Sequence, residues 1–117
     1  MKELEKKLEI LEYHIQLLLE MSDQTKFPFY QLIIRSRLTK EEVQHIYKLC
    51  EKLTEEYKEQ KAQGLLYYTD LLTLFAGQLS EKLDVNETIE AMYNQGLYKP
   101  LMTEFKRLIS HFPHARK

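Results

Sequence analysis

Residues 2–21 read KELEKKLEILEYHIQLLLEM, and this stretch decides what kind of fold the chain builds. Its apolar residues recur at spacings of 4, 3, 4 and 3, which is the seam of a coiled coil. The seam consists of Leu4, Leu8, Leu11, Ile15 and Leu18. A second stripe lies on another face of the same predicted helix and consists of Ile10, His14, Leu17 and Met21. A helix with two apolar faces must be covered from two sides.

The rest of the chain also carries helix signals, and no convincing period-two strand pattern is present. Pro28 suits the first turn of a short helix over 28–36, whose buried side would hold Tyr30, Leu32, Ile33 and Ile34. Four further helices are predicted, over 40–63, from 68 or 69 to 83, from 85 to Gly96, and from about 100 to 112, where Pro113 ends the last one. The fold class is therefore all-α, with one domain over 1–117 made of the heptad helix 1–21 and the remaining helices 28–117.

The predicted helix over 40–63 has clear start and stop signals. Thr39 and Glu42 have the spacing of a capping box, and Gly64 is a natural helix end. Twenty-four helical residues span about 36 Å, which is long for a chain of this size. Two such long helices predict an elongated protomer whose apolar stripes are buried by partner chains, hence a homo-oligomer.

Ala76 and Gly77 lie inside the helix predicted to end near Leu83. A glycine inside a helix costs roughly 1 kcal/mol relative to alanine. We therefore expect close packing of another helix or backbone against Ala76 and Gly77, which would compensate for that cost.

The chain offers little for catalysis or for metal binding. Cys50 is the single cysteine and lies on the apolar seam of the 40–63 helix, so a buried, inert thiol is expected. Glu42 and His45 match half of a di-iron motif, but the second copy that such a site needs is missing from the sequence. We expect no catalytic residue, no metal and no cofactor, and a protein that is not an enzyme.

Charge and hydropathy limit the expected partners. Seventeen Lys and Arg against eighteen Asp and Glu give a net charge of −1, without a general attraction to nucleic acid or membranes. The amino terminus has no apolar signal-peptide core, so we expect a cytoplasmic protein. The first interpretation is a non-catalytic adaptor or regulator that binds itself and a further protein.

Two other functions remain open at the level of sequence. The short helix followed by LTKEEV (38–43) is typical of part of a helix-turn-helix DNA-binding regulator. However, the helix that would read DNA carries six Glu and five Lys between residues 40 and 63. The phosphates of DNA repel this many carboxylates, so the acidic residues argue against DNA binding. The third interpretation is a small-ligand-binding protein or enzyme with a pocket between subunits.

Several short stretches resemble the YhaI-like family of Bacillus proteins, a domain of unknown function. They are QKAQG (60–64), LFAGQL (74–79), EKLDV (81–85) and QGLY (95–98), together with LEYHIQLL (11–18), PFY (28–30) and KEE (40–42). The resemblance implies an all-helical fold and an intertwined homo-oligomer, with a trimer favoured over a dimer. It brings no catalytic residue, and relatives often have glycine where this chain has Arg37.

Overall fold

The computed structural model describes residues 1–23 and 25–111 and contains six helices within them. They are α1 (Lys2–Met21), α2 (Pro28–Arg35), α3 (Lys40–Ala62), α4 (Thr69–Gln78), α5 (Val85–Asn94) and α6 (Lys99–His111). The described residues include no β-strand, so the predicted all-α class is confirmed. The predicted end of the last helix at Pro113 lies outside the described residues.

The protomer is elongated, as predicted from its two long helices. Its principal extents are 60 × 25 × 24 Å and its radius of gyration is 17.0 Å, against about 13 Å for a compact chain of about 100 residues. The two longest helices are α1 with 20 residues and α3 with 23 residues. An elongated shape leaves more apolar surface in contact with solvent than a compact one of the same length.

Local signals set the beginnings and ends of several helices. Thr39 and Glu42 form the predicted capping box: the Thr39 amide donates to Glu42 Oε1 at 2.8 Å, and the Glu42 amide donates to Thr39 Oγ1 at 3.1 Å. The Asp84 side chain accepts from the Glu87 amide at 2.8 Å and begins α5. Gly64 ends α3 with a φ of 86°, which glycine adopts at no steric cost. These predictions are confirmed.

The end of α4 is a correction to the sequence prediction. The helix stops at Gln78, not near Leu83, because Leu79 adopts an extended conformation with a ψ of 146°. A turn follows in which the Leu83 amide donates to the Ser80 carbonyl at 3.1 Å. This turn places Leu83 in the core, where only 8% of it is exposed. Burial of Leu83 outweighs the local preference to extend the helix.

The core is built from α2 to α6. The predicted seam of α3 faces it, with Ile46, Cys50 and Leu53 almost fully buried. On α2 the prediction was partly wrong: Phe29 is fully buried and Leu32 is 4% exposed, whereas Tyr30 and Ile34 lie outside the core. The apolar residues with no exposed surface at the centre are Phe29, Ile46, Cys50, Leu71, Phe75, Met92, Leu101, Met102 and Phe105, and Thr88 is equally buried.

Candidate self-association surface

Helix α1 has almost no share in the core. Of its twenty described residues, none is buried. The seam residues Leu4, Leu8, Leu11, Ile15 and Leu18 are between 43% and 62% exposed. The structure therefore brings these five residues together as one stripe on an exposed helix, as the heptad spacing predicts.

The second apolar stripe of α1 is exposed as well. Ile10 is 46% exposed, Leu17 is 37% exposed and Met21 is 80% exposed. His14 lies between them and is also exposed; its ring centroid is 6.1 Å from that of Tyr13. A single chain thus covers neither of the two apolar faces that the sequence predicts.

A groove between α1 and α2 continues the seam onto a second helix. Ile15, Leu18 and Leu19 line one wall, and Phe27, Tyr30 and Ile34 line the other. The rings of Phe27 and Tyr30 are stacked, with centroids 5.8 Å apart and planes 2° from parallel. All three residues of the second wall are 44–50% exposed. The sequence prediction placed Tyr30 and Ile34 on the buried side of this helix and left out Phe27, although the spacing of 3 and 4 from Phe27 to Ile34 is itself a helical stripe.

A few polar contacts hold α1 against α2 and the turn that follows it. Arg37 Nη2 lies 3.1 Å from Glu12 Oε2, with both side chains mostly in solvent. Gln31 Nε2 donates to Ser22 Oγ at 3.0 Å, and Ser22 Oγ donates to the Leu19 carbonyl at 2.8 Å. Exposed ion pairs of this kind contribute little to stability. The position of α1 in one chain therefore rests on weak contacts.

The predicted close packing at Ala76 and Gly77 does not occur within the chain. Both residues are exposed. Apart from Gly77 itself, its two chain neighbours and the adjacent backbone of its own helix, no atom of the described residues lies within 4 Å of an ideal Cβ built on Gly77. The physical reason is the earlier end of α4, which puts Gly77 in the last turn of the helix. There a glycine costs less than in a helix interior. A contact between chains at this position stays a prediction.

The residues with a possible chemical role, and the half-buried tyrosine near them, lie in surroundings that explain them by packing and capping. Burial, and secondarily the nearby Glu51 carboxylate, raises the pKa of the Cys50 thiol to about 12, so the thiol stays protonated at neutral pH. Glu42 serves the capping box and lies 3.0 Å from Lys82 Nζ, while His45 is exposed. Burial is also the main cause that raises the pKa of Tyr98 to about 12. Among the side chains of residues 1–23 and 25–110, no three or more His, Cys, Asp and Glu are grouped so as to hold a metal ion.

The fold and this surface define a class: an elongated all-α protein with one long helix that its own core leaves uncovered. In the described part of the chain, every helix lacks either the length or the apolar character that a bilayer crossing requires. Residues 1–110 match the family described as "Protein of unknown function (DUF1878)". The chain belongs to this family.

Proposed function

We propose that this chain is a non-catalytic, cytoplasmic interaction protein that self-associates through the seam of α1 and the α1–α2 groove. The observation that carries the proposal is the exposure of a complete heptad seam on a helix without one buried residue. In this proposal a trimer is favoured over a dimer, because two apolar stripes on each helix require cover from two sides. The resemblance to the YhaI-like proteins supports the same preference for a trimer. A further protein partner would bind the assembled oligomer.

Helix stability also supports a partner for α1. Most helical stability in proteins comes from packing of an apolar face, and none of the residues of α1 is buried by its own chain. Full burial of a Leu or Ile side chain contributes roughly 1.5–3 kcal/mol. Since the five seam residues are about half exposed, covering them would contribute about 1 kcal/mol each, or about 5 kcal/mol per chain as an upper estimate. Association would thus stabilise both the helix and the assembly.

The direct test measures the mass of the protein in solution. We expect an oligomer by light scattering and sedimentation at micromolar concentration. Leu11→Glu places a charge in the middle of the seam and should give a monomer. Tyr13→Glu is the matched control, because Leu11 and Tyr13 are 56% and 58% exposed and Tyr13 lies off both stripes.

Two results would count against the proposal. A wild-type chain that remains monomeric at micromolar concentration would remove its basis. Equal weakening of association by Leu11→Glu and Tyr13→Glu would show that the seam is not the contact surface. Circular dichroism adds a second readout, since dilution below the association range should lower the helical signal as α1 loses its cover.

A further inference from the structure

The charges that flank the α1 seam indicate a direction for its pairing. With Leu4, Leu11 and Leu18 at the d positions, Leu8 and Ile15 are a positions. Lys7 then occupies a g position, and Glu5 and Glu12 occupy e positions. Residues at e and g border the seam and make the ion pairs that set orientation in coiled coils.

We propose that α1 packs in parallel against α1 of a second copy of this chain, with Lys7 of each copy paired to Glu12 of a neighbouring copy. This inference rests on the proposed self-association. In a parallel coiled coil, a g residue faces the e residue five positions further along the partner helix, and 7 + 5 = 12. The pairing occurs at every contact of a parallel dimer or trimer.

An antiparallel arrangement brings like charges together. There e positions face e positions, so Glu5 and Glu12 of one copy face the same carboxylates of the other. Lys7 then faces a g position, which is either Lys7 or His14 of the other copy. Like charges placed opposite each other disfavour an arrangement, so the sequence selects against antiparallel packing as well as for parallel packing.

The structure leaves Glu12 able to make the contact. Arg37 holds one carboxylate oxygen, Oε2, at 3.1 Å, and the Glu12 side chain is still 63% exposed. A carboxylate accepts several hydrogen bonds, so Glu12 can bind Arg37 of its own chain and Lys7 of a second copy together. Lys7 lies on the exposed amino-terminal half of α1.

A charge reversal tests the direction of pairing. Lys7→Glu should weaken self-association roughly 4- to 30-fold at low salt, because one attractive Lys7–Glu12 pair per chain becomes repulsive, in a parallel dimer and in a parallel trimer alike. Lys6→Glu is the matched control, since it makes the same charge change one residue away on the face opposite the seam, and it should change association less than twofold. The difference should shrink in 1 M salt. If Lys7→Glu strengthens association or matches Lys6→Glu, the parallel pairing is wrong.

Cross-linking provides a second, independent measurement. Leu4→Cys should form a disulfide between the two copies of residue 4 on mild oxidation, because only parallel helices bring identical d positions together. Lys6→Cys should form none, and the buried Cys50 of the wild type serves as background. Absence of the Leu4→Cys cross-link in an associated sample would overturn the orientation alone. A monomeric wild type would instead overturn the proposed function, so the two failures are distinguishable.

Discussion

Gln95 caps a helix that lies far from it in sequence, and this contact gives a sharp stability test. The first turn of α2 begins at Pro28, and its preceding residue, Phe27, provides no side-chain cap. The amides of Phe29 and Tyr30 donate instead to Gln95 Oε1, at 2.8 Å and 3.2 Å. One side chain thus satisfies two of the amides that every helix start leaves without a partner.

Removing this acceptor should lower the free energy of unfolding by as much as removing an ordinary N-cap residue. Gln95→Met keeps the length of the side chain but removes the oxygen. Loss of a cap costs roughly 0.5–2 kcal/mol. Because the Phe29 amide is part of a half-buried contact, we expect the upper half of that range, about 1–2 kcal/mol. For a domain of this size the melting temperature should fall by about 3–8 °C.

Gln95→Glu is the matched control, since it keeps the acceptor. Its negative charge is favourable at the amino terminus of α2 and unfavourable at the carboxyl terminus of α5, where residue 95 is the C-cap, so the two effects oppose each other. We expect its stability to lie within about 0.5 kcal/mol of the wild type. Urea and thermal unfolding, followed by circular dichroism at one fixed protein concentration, measure all three proteins, because association shifts apparent stability. Equal stability of Gln95→Met and the wild type would refute the capping argument, and so would a Gln95→Glu variant as unstable as Gln95→Met.

Four further outcomes follow from the structure. Gly77→Ala should raise the unfolding free energy by up to about 0.5 kcal/mol, since the added methyl meets open space within the chain; a concentration-dependent loss in thermal melts would instead reveal a contact between chains. Cys50 should react with a thiol reagent only at the rate of unfolding, because it is fully buried and its thiol pKa is raised to about 12; rapid modification of the native protein would contradict this. The hydrogen bond from the Thr39 amide, and secondarily Lys82, lowers the pKa of Glu42 below its ordinary value of 4.5. The ionised Glu42 carboxylate therefore stabilises the fold above pH 4.5, and this contribution is lost as the pH falls through the lowered pKa. Glu42→Gln should flatten the acid limb of a curve of unfolding free energy against pH. No sequence-selective binding of duplex DNA is expected at physiological salt, and nanomolar binding in a mobility-shift assay would contradict that expectation.

The helix boundaries that the sequence predicts well are those with strong local signals. The start of α3 depends on Thr39 and Glu42, which are three residues apart, and its end depends on Gly64. Such contacts form within one or two helical turns and can therefore be recognised in a short window of sequence. Leu83 could not be placed in this way, because the end of α4 depends on a core contact made by residues distant in the chain.

Helix α2 shows why the buried side of a short helix was hard to predict. Phe29 and Leu32 face the core, while Phe27, Tyr30 and Ile34 face the groove beside α1. Both faces are apolar, so periodicity detects a helix without distinguishing the two faces. The cap from Gln95 is similarly invisible to local reasoning, since it joins residues 66 positions apart.

The apolar residues of this chain form two sets with different physical roles. The core set, around Phe29 and Phe105, is buried by the chain itself and can determine the fold at any protein concentration. The α1 set retains about half of its exposure after folding, so the hydrophobic free energy of those residues is still available for association. A substitution in the core therefore perturbs unfolding directly. Under the proposed self-association, a substitution on the α1 seam should change the apparent stability chiefly through the concentration of other copies. The exposed heptad of a single chain therefore supports the proposed assembly, and the dependence of seam variants on protein concentration is what tests it.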